Sequence, residues 1–215
     1  ILAAPCDSNA IVPVLARAEA AGIPVFTADI AALGGKVVSH VASDNVQGGR
    51  LAAEALASRI GGKGKVLVID HPTVASVQDR VRGFEEGLKK YPDITIVAKL
   101  SGDGQRAKAT QIMEDMLQAH RDLAGVFGIN DDSALGAAGV IEAAGRKDIV
   151  VIGYDATDEA QTAIKKGGPL KADVIQYPQV IGKTAIDLIA AYLAGDKTVP
   201  ALKAIDVGIW DGTGK

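Results

Sequence analysis

The chain has 215 residues, 48% hydrophobic and 23% charged, with a formal net charge of −3, a globular composition with apolar material for one or two packed cores. Clustered Lys/Arg is absent, and the basic pairs Lys63/Lys65 and Lys165/Lys166 sit beside glycines as solvated turn residues, which excludes a nucleic-acid partner. No apolar run reaches the roughly 18 residues that span a bilayer, so the chain is not expected to be membrane-embedded, and the single cysteine, Cys6, excludes an internal disulfide and a cysteine-rich metal site.

Ile1–Ala4 reads as a buried strand cut into at its beginning; it lacks the basic start and long apolar stretch of a signal peptide. Further apolar runs follow at Pro24–Ala28, Lys65–Ile69, Ile94–Ala98, Gly125–Ile129, Ile149–Gly153 and Leu170–Ile175. Continuous β-branched stretches of this kind suit strands covered on both faces. Between them run helical stripes: Val81, Phe84 and Leu88; Ile112, Met113, Met116 and Leu117; Leu135, Ala138 and Ile141; Ile181, Ala185, Leu188, Ile189 and Tyr192. The methionines read as core. Strand and helix alternating this often predict an α/β fold with parallel sheets and right-handed crossovers. The extended piece Val37–Asn45 breaks the rhythm. It is either an edge strand or a place where the chain crosses between two lobes.

In such sheets ligands bind beyond the carboxyl ends of the strands. The residues found there are Cys6 and Asp7, Asp29, Asp70 and His71, Gly102 and Asp103, Asn130 and Asp131, Tyr154 and Asp155, and Gln176. Carboxylates and amides suit a polyol, whereas a phosphate calls for glycine-rich N–H cradles and cations. For Asp7, Asp70, Asp103 and Asp131, helix capping or a turn is the expected duty. For Asp29, Asn130 and Asp155, capping and ligand binding remain equal on position alone. Arg80 stands near a helix start, where its charge opposes the macrodipole unless it has a partner.

Enzyme signatures are missing. No G-x-G-x-x-G follows a strand, and Gly61–Lys65 precedes one; there is no Walker lysine and no G-x-S-x-G elbow. His40, His71 and His120 lack metal-ligand spacing. No cofactor, metal or catalytic residue is therefore expected. His71 beside Asp70 could act as a base, but Pro72 makes it read as a loop histidine, and Cys6 reads as a half-buried thiol.

Four segments then carry a resemblance. VVSHVASDN (Val37–Asn45), QDRVRGF (Gln78–Phe84), GINDDSALG (Gly128–Gly136) and VIGYD (Val151–Asp155) resemble, in order and spacing, motifs of the ribose-binding family of type I periplasmic binding proteins. The resemblance implies two doubly wound parallel-sheet lobes joined by a three-segment hinge, with an incomplete N-terminal lobe. That lobe would hold 1–43 and 177–205, and the C-terminal lobe 44–176 and 206–215, with Val207–Trp210 as its returning strand. On matching positions Asp29, Arg80, Asn130, Asp155 and Gln176 would bond sugar hydroxyls, Tyr154 would offer a ring face, and Ser43, Asp44 and Asn45 would form part of the hinge. The implied function is a periplasmic carrier that closes on a monosaccharide or sugar alcohol and delivers it to an ABC-type permease or a chemoreceptor. Ile30 and Gly104 replace an arginine and a stacking aromatic of the family pattern, which argues against ribose itself. The family's first two βα units, about 60 residues at the usual unit length, are expected before Ile1, so the chain reads as a fragment. The alternative is the effector-sensing part of a LacI-type repressor, which shares the fold.

Overall fold

The computed structural model describes residues 1–213; the last part of the expected 206–215 segment, 214–215, lies outside the described residues. The elements in chain order are β1 (Leu2–Ala3), α1 (Val12–Ala20), β2 (Phe26–Ala28), β3 (Ser39–Ser43), α2 (Asn45–Arg59), β4 (Lys63–Asp70), α3 (Ala75–Leu88), β5 (Asp93–Ser101), α4 (Arg106–Ala119), β6 (Leu123–Gly128), α5 (Asp131–Ala143), β7 (Val150–Asp155), α6 (Asp158–Lys165), β8 (Leu170–Ile175), α7 (Pro178–Leu193), β9 (Leu202–Ile205) and β10 (Gly208–Trp210). The chain divides into two compact units. Unit 1 is Ile1–Asn45, Thr73–Gln78 and Tyr177–Asp206; unit 2 is Val46–Pro72, Asp79–Gln176 and Val207–Lys215.

Unit 1 is built on a four-stranded sheet in the order β1-β2-β3-β9, parallel throughout. β3 bonds β2 on one side and β9 on the other, so the edge-strand reading of Val37–Asn45 is corrected: its strand is interior. The partner β9 comes about 160 residues later and is mostly exposed, so no local apolar pattern announced it. Val41, Ile181 and Ala185 form one small core, and Leu15, Ala18 and Val25 another.

Unit 2 carries a six-stranded sheet in the order β10-β8-β7-β6-β4-β5. All neighbours are parallel except β10, which returns antiparallel to β8. Val66, Leu67, Val68 and Ile69 of β4 are wholly buried, which explains why the run has no alternation: helices cover both faces. Met113 and Met116 of α4 lie in the main core with Leu67, Ile69, Val126 and Val151, as expected. β4 is flanked by β5 and β6: the chain steps from β4 to β5 on one side, then crosses back past β4 to β6 and winds on in the opposite direction. That reversal of winding opens a crevice at the carboxyl ends of the strands.

Helices α2 and α3 meet through glycine. A Cβ at Gly49 would stand 2.0 Å from the Arg80 carbonyl oxygen, and one at Gly83 would stand 2.1 Å from that of Val46. Glycine costs about 1 kcal/mol in a helix interior, offset here by an approach no other residue permits. This contact fixes where α3 delivers Arg80.

Candidate ligand-binding site

Five of the predicted residues converge at the carboxyl end of the unit 2 sheet. Pairing of β7 with β8 sets Asp155 opposite Ile175, and this register brings the next residue, Gln176, alongside. Its Nε2 donates to Asp155 Oδ1 at 2.6 Å. Arg80 Nη1 lies 3.6 Å from the same oxygen and donates to the Ile129 carbonyl at 2.7 Å. The guanidinium centre stacks 3.7 Å above the Tyr154 ring. Arg80 is only 5% exposed, so its charge is held by a carboxylate, a carbonyl and a π face together, as a buried cation requires. These contacts supply the partner that its place near a helix start demanded.

Tyr154 departs from expectation. It is wholly buried, and its ring seats Arg80 in place of standing open. Gly48 of α2 makes room for it, since a Cβ there would lie 2.3 Å from the Tyr154 hydroxyl.

Asn130 ends the β6 run and caps α5: its Oδ1 accepts from Ser133 N at 2.9 Å, while Nδ2 donates to the Gly104 carbonyl at 3.1 Å. It does capping duty and is adjacent to the Ile129 carbonyl that holds Arg80. Gly104 has φ +66°, and a Cβ there would press Asn130 at 3.3 Å and His71 at 3.4 Å. Asp29 lies in unit 1, at φ 66°, its N–H bonded to the Val41 carbonyl at 2.9 Å.

The backbone under Asp155 is strained, with φ 116° at Asp155 and 54° at Ala156. Non-glycine residues in this region cost about 1–3 kcal/mol each. The turn is held from outside: Ala156 N–H donates to Asp173 Oδ1 at 3.1 Å, and Gln161 Nε2 donates to the Ala156 carbonyl at 2.8 Å. Asp173 was not anticipated as functional, although an aspartate inside the apolar run Leu170–Ile175 was a visible signal.

The remaining strand-end carboxylates do local work. Asp7 Oδ1 accepts from the N–H groups of Asn9 and Ala10, each at 2.8 Å. Asp70 Oδ1 accepts from His71 N at 2.7 Å, and burial raises its pKa. Asp103 accepts from Ser101 and Lys108. Asp131 serves another element, accepting from the Thr157 N–H at 2.7 Å and hydroxyl at 2.5 Å where α6 begins. Cys6 is exposed, correcting the half-buried thiol expected of it; Pro5 beside it takes the buried position. Among the described residues no cluster of His, Cys, Asp and Glu could hold a metal, and no helix is long and apolar enough to cross a membrane. The chemistry on offer is a carboxylate, two amides and a fixed cation, which hydrogen-bond hydroxyl groups.

The periplasmic binding protein domain family matches residues 1–197. The ribose import binding protein of Bacillus subtilis (strain 168) is 39% identical over 205 residues, 95% of this chain and 66% of that protein. Its counterpart in Salmonella typhimurium is 35% identical over 198 residues, 92% of this chain and 66% of that protein; the chain thus spans just under two thirds of these relatives. An ABC transporter solute-binding protein of Agrobacterium vitis, solved with α-D-tagatopyranose, superposes with a TM-score of 0.92 at 33% identity, covering 99% of this chain and 74% of that one. The chain belongs to the periplasmic binding protein family.

Proposed function

We propose that this protein binds a monosaccharide or sugar alcohol, without chemical conversion, as the periplasmic solute-binding component of an ABC-type importer. The observation that carries this reading is the Arg80–Asp155–Gln176 group: a carboxylate whose one oxygen is shared by an amide donor and a buried guanidinium. A hydroxyl both donates and accepts, so a carboxylate beside fixed N–H donors suits neighbouring hydroxyls. Asp155 and Gln176 are assigned to ligand hydroxyls, Arg80 to a ring or hydroxyl oxygen, and Asn130 to a further one. Tyr154 acts through Arg80, which it orients. Asp29, in unit 1, is likewise proposed as a ligand-binding residue, and Ser43, Asp44 and Asn45, where the chain leaves unit 1, are the proposed hinge. The importing permease is the proposed partner, a chemoreceptor a second. The relatives named for ribose import and the neighbour solved with tagatopyranose support this class of ligand.

A thermal-shift panel of monosaccharides and sugar alcohols, followed by calorimetry, tests it. A ligand at 100 times its Kd stabilises by about 2.7 kcal/mol, or roughly 5–10 °C. The expected result is such a shift with a small subset of the panel and no sugar consumed. Absence of binding heat across the whole panel, or turnover of a sugar, would overturn the reading.

A further inference from the structure

Two buried carboxyl groups stand behind Asp155. Asp173 is fully buried on β8 and Asp131 is 5% exposed at the start of α5. One oxygen of each is engaged: Asp131 Oδ2 by the Thr157 N–H and hydroxyl, Asp173 Oδ1 by the Ala156 N–H. The other two, Asp131 Oδ1 and Asp173 Oδ2, are buried with no donor among the described residues, and the two carboxyls are within hydrogen-bonding reach of one another. Gly153 makes the close seating possible, because a Cβ there would lie 2.4 Å from Asp173 Oδ2. Two ionised carboxylates cannot satisfy such a contact; a single proton between them satisfies both oxygens.

We propose that Asp131 and Asp173 share one proton, carried by Asp173 and donated to Asp131, and that this pair is the positioning device for Asp155. The two groups grip consecutive residues, Ala156 and Thr157, immediately after Asp155. They thereby hold a turn whose φ values of 116° and 54° would otherwise relax. Only the last step, from turn to ligand, rests on the sugar-binding reading.

The surroundings favour the protonated form. The charged groups facing Asp173 are Asp131 from α5 and Asp155 from β7, while β10 brings Trp210 opposite it. Burial, then the charge of Asp131, raise the Asp173 carboxyl well above its ordinary range. The folded state therefore keeps a proton that the unfolded chain releases near pH 4. This stabilisation is full below that pH and is lost as pH rises through the folded value.

Asparagine substitutions separate this arrangement from a pair of independent carboxylates. In Asp173→Asn the amide donates to Asp131; in Asp131→Asn it donates to Asp173. Each single variant is expected to fold with a Tm within a few degrees of the parent. In the double variant two NH₂ groups face each other with no acceptor, and its Tm is expected to fall by roughly 5 °C or more below either single. Independent carboxylates predict the reverse, with the double variant the most relieved of repulsion, and that order would overturn the proposal. As a second readout, the Ala156 and Thr157 amide resonances of the parent are expected to titrate above pH 4 and to lose that titration in Asp173→Asn. Amides that do not titrate, or that still titrate in the variant, also overturn it. Both measurements are made without ligand, so failure of the sugar-binding reading leaves them intact and failure here leaves that reading intact.

Discussion

Gln176 and Arg80 converge on one atom, Asp155 Oδ1, the amide at 2.6 Å and the guanidinium at 3.6 Å. They reach it from a strand end and from a helix, 96 positions apart in the chain. An oxygen addressed from two sides is fixed in direction, so Asp155 offers a preorganised acceptor to the ligand proposed for this site.

Asp155→Gly should separate binding from folding. At φ 116° glycine is unstrained, which offsets part of the cost of leaving the buried Arg80 charge without its carboxylate. The variant is therefore expected to keep a cooperative unfolding transition at a Tm at or below the parent's while losing ligand affinity at least tenfold, the worth of a charge-assisted hydrogen bond. Asp155→Ala should lose the same affinity without the conformational relief. Calorimetry and thermal unfolding of both variants check this; unchanged affinity in either removes Asp155 from the site.

Arg80→Lys is expected to behave as a disruptive change. An ammonium on a shorter stem cannot lay a planar cation on the Tyr154 ring while also reaching the Ile129 carbonyl and Asp155, as the Arg80 guanidinium does through Nη1. Loss of about 2–3 kcal/mol in urea unfolding is expected, with ligand affinity falling in parallel. A variant of parental stability would show that these contacts are dispensable.

Glycine contacts give a paired test of packing. Gly49→Ala and Gly83→Ala each drive a Cβ into a backbone carbonyl, at 2.0 and 2.1 Å, and helix separation should cost about 3 kcal/mol. Gly139→Ala, in α5 with nothing within 4 Å of its Cβ, should instead gain about 0.5–1 kcal/mol from helix propensity. Chemical denaturation of the three variants reads the difference directly.

Arg106 clamps Glu159 through two bonds, at 2.7 and 2.8 Å, and Asp132 through a third at 2.9 Å, joining the starts of α4, α5 and α6. The guanidinium lowers the Glu159 pKa below its ordinary 4.5. A depressed carboxyl contributes stability above its unfolded value and loses it as pH falls through the folded one. The Tm of Arg106→Gln should therefore differ from the parent most above pH 4.5 and converge with it in acid. The gap should narrow in high salt, since the pairs are exposed.

The sequence alone determined the alternation of strands and helices in unit 2, because burial on both sheet faces leaves continuous apolar runs that need no tertiary knowledge to see. It also determined that amides and carboxylates crowd the strand ends, since Asp29, Asn130, Asp155 and Gln176 each follow such a run. Their duties were another matter. Asn130 and Asp131 are neighbours of similar chemistry, yet one caps its own helix and reaches Gly104, while the other serves Thr157, 26 residues away. Only the β7–β8 register set Gln176 against Asp155, and only the Gly49 and Gly83 contacts placed Arg80 over Tyr154. β9, mostly exposed and paired far along the chain, left no local pattern at all. Periodicity reports which side of an element is dry; which polar atom finds which partner is decided when distant elements pack, because hydrogen bonds depend on tenths of an ångström that composition does not encode.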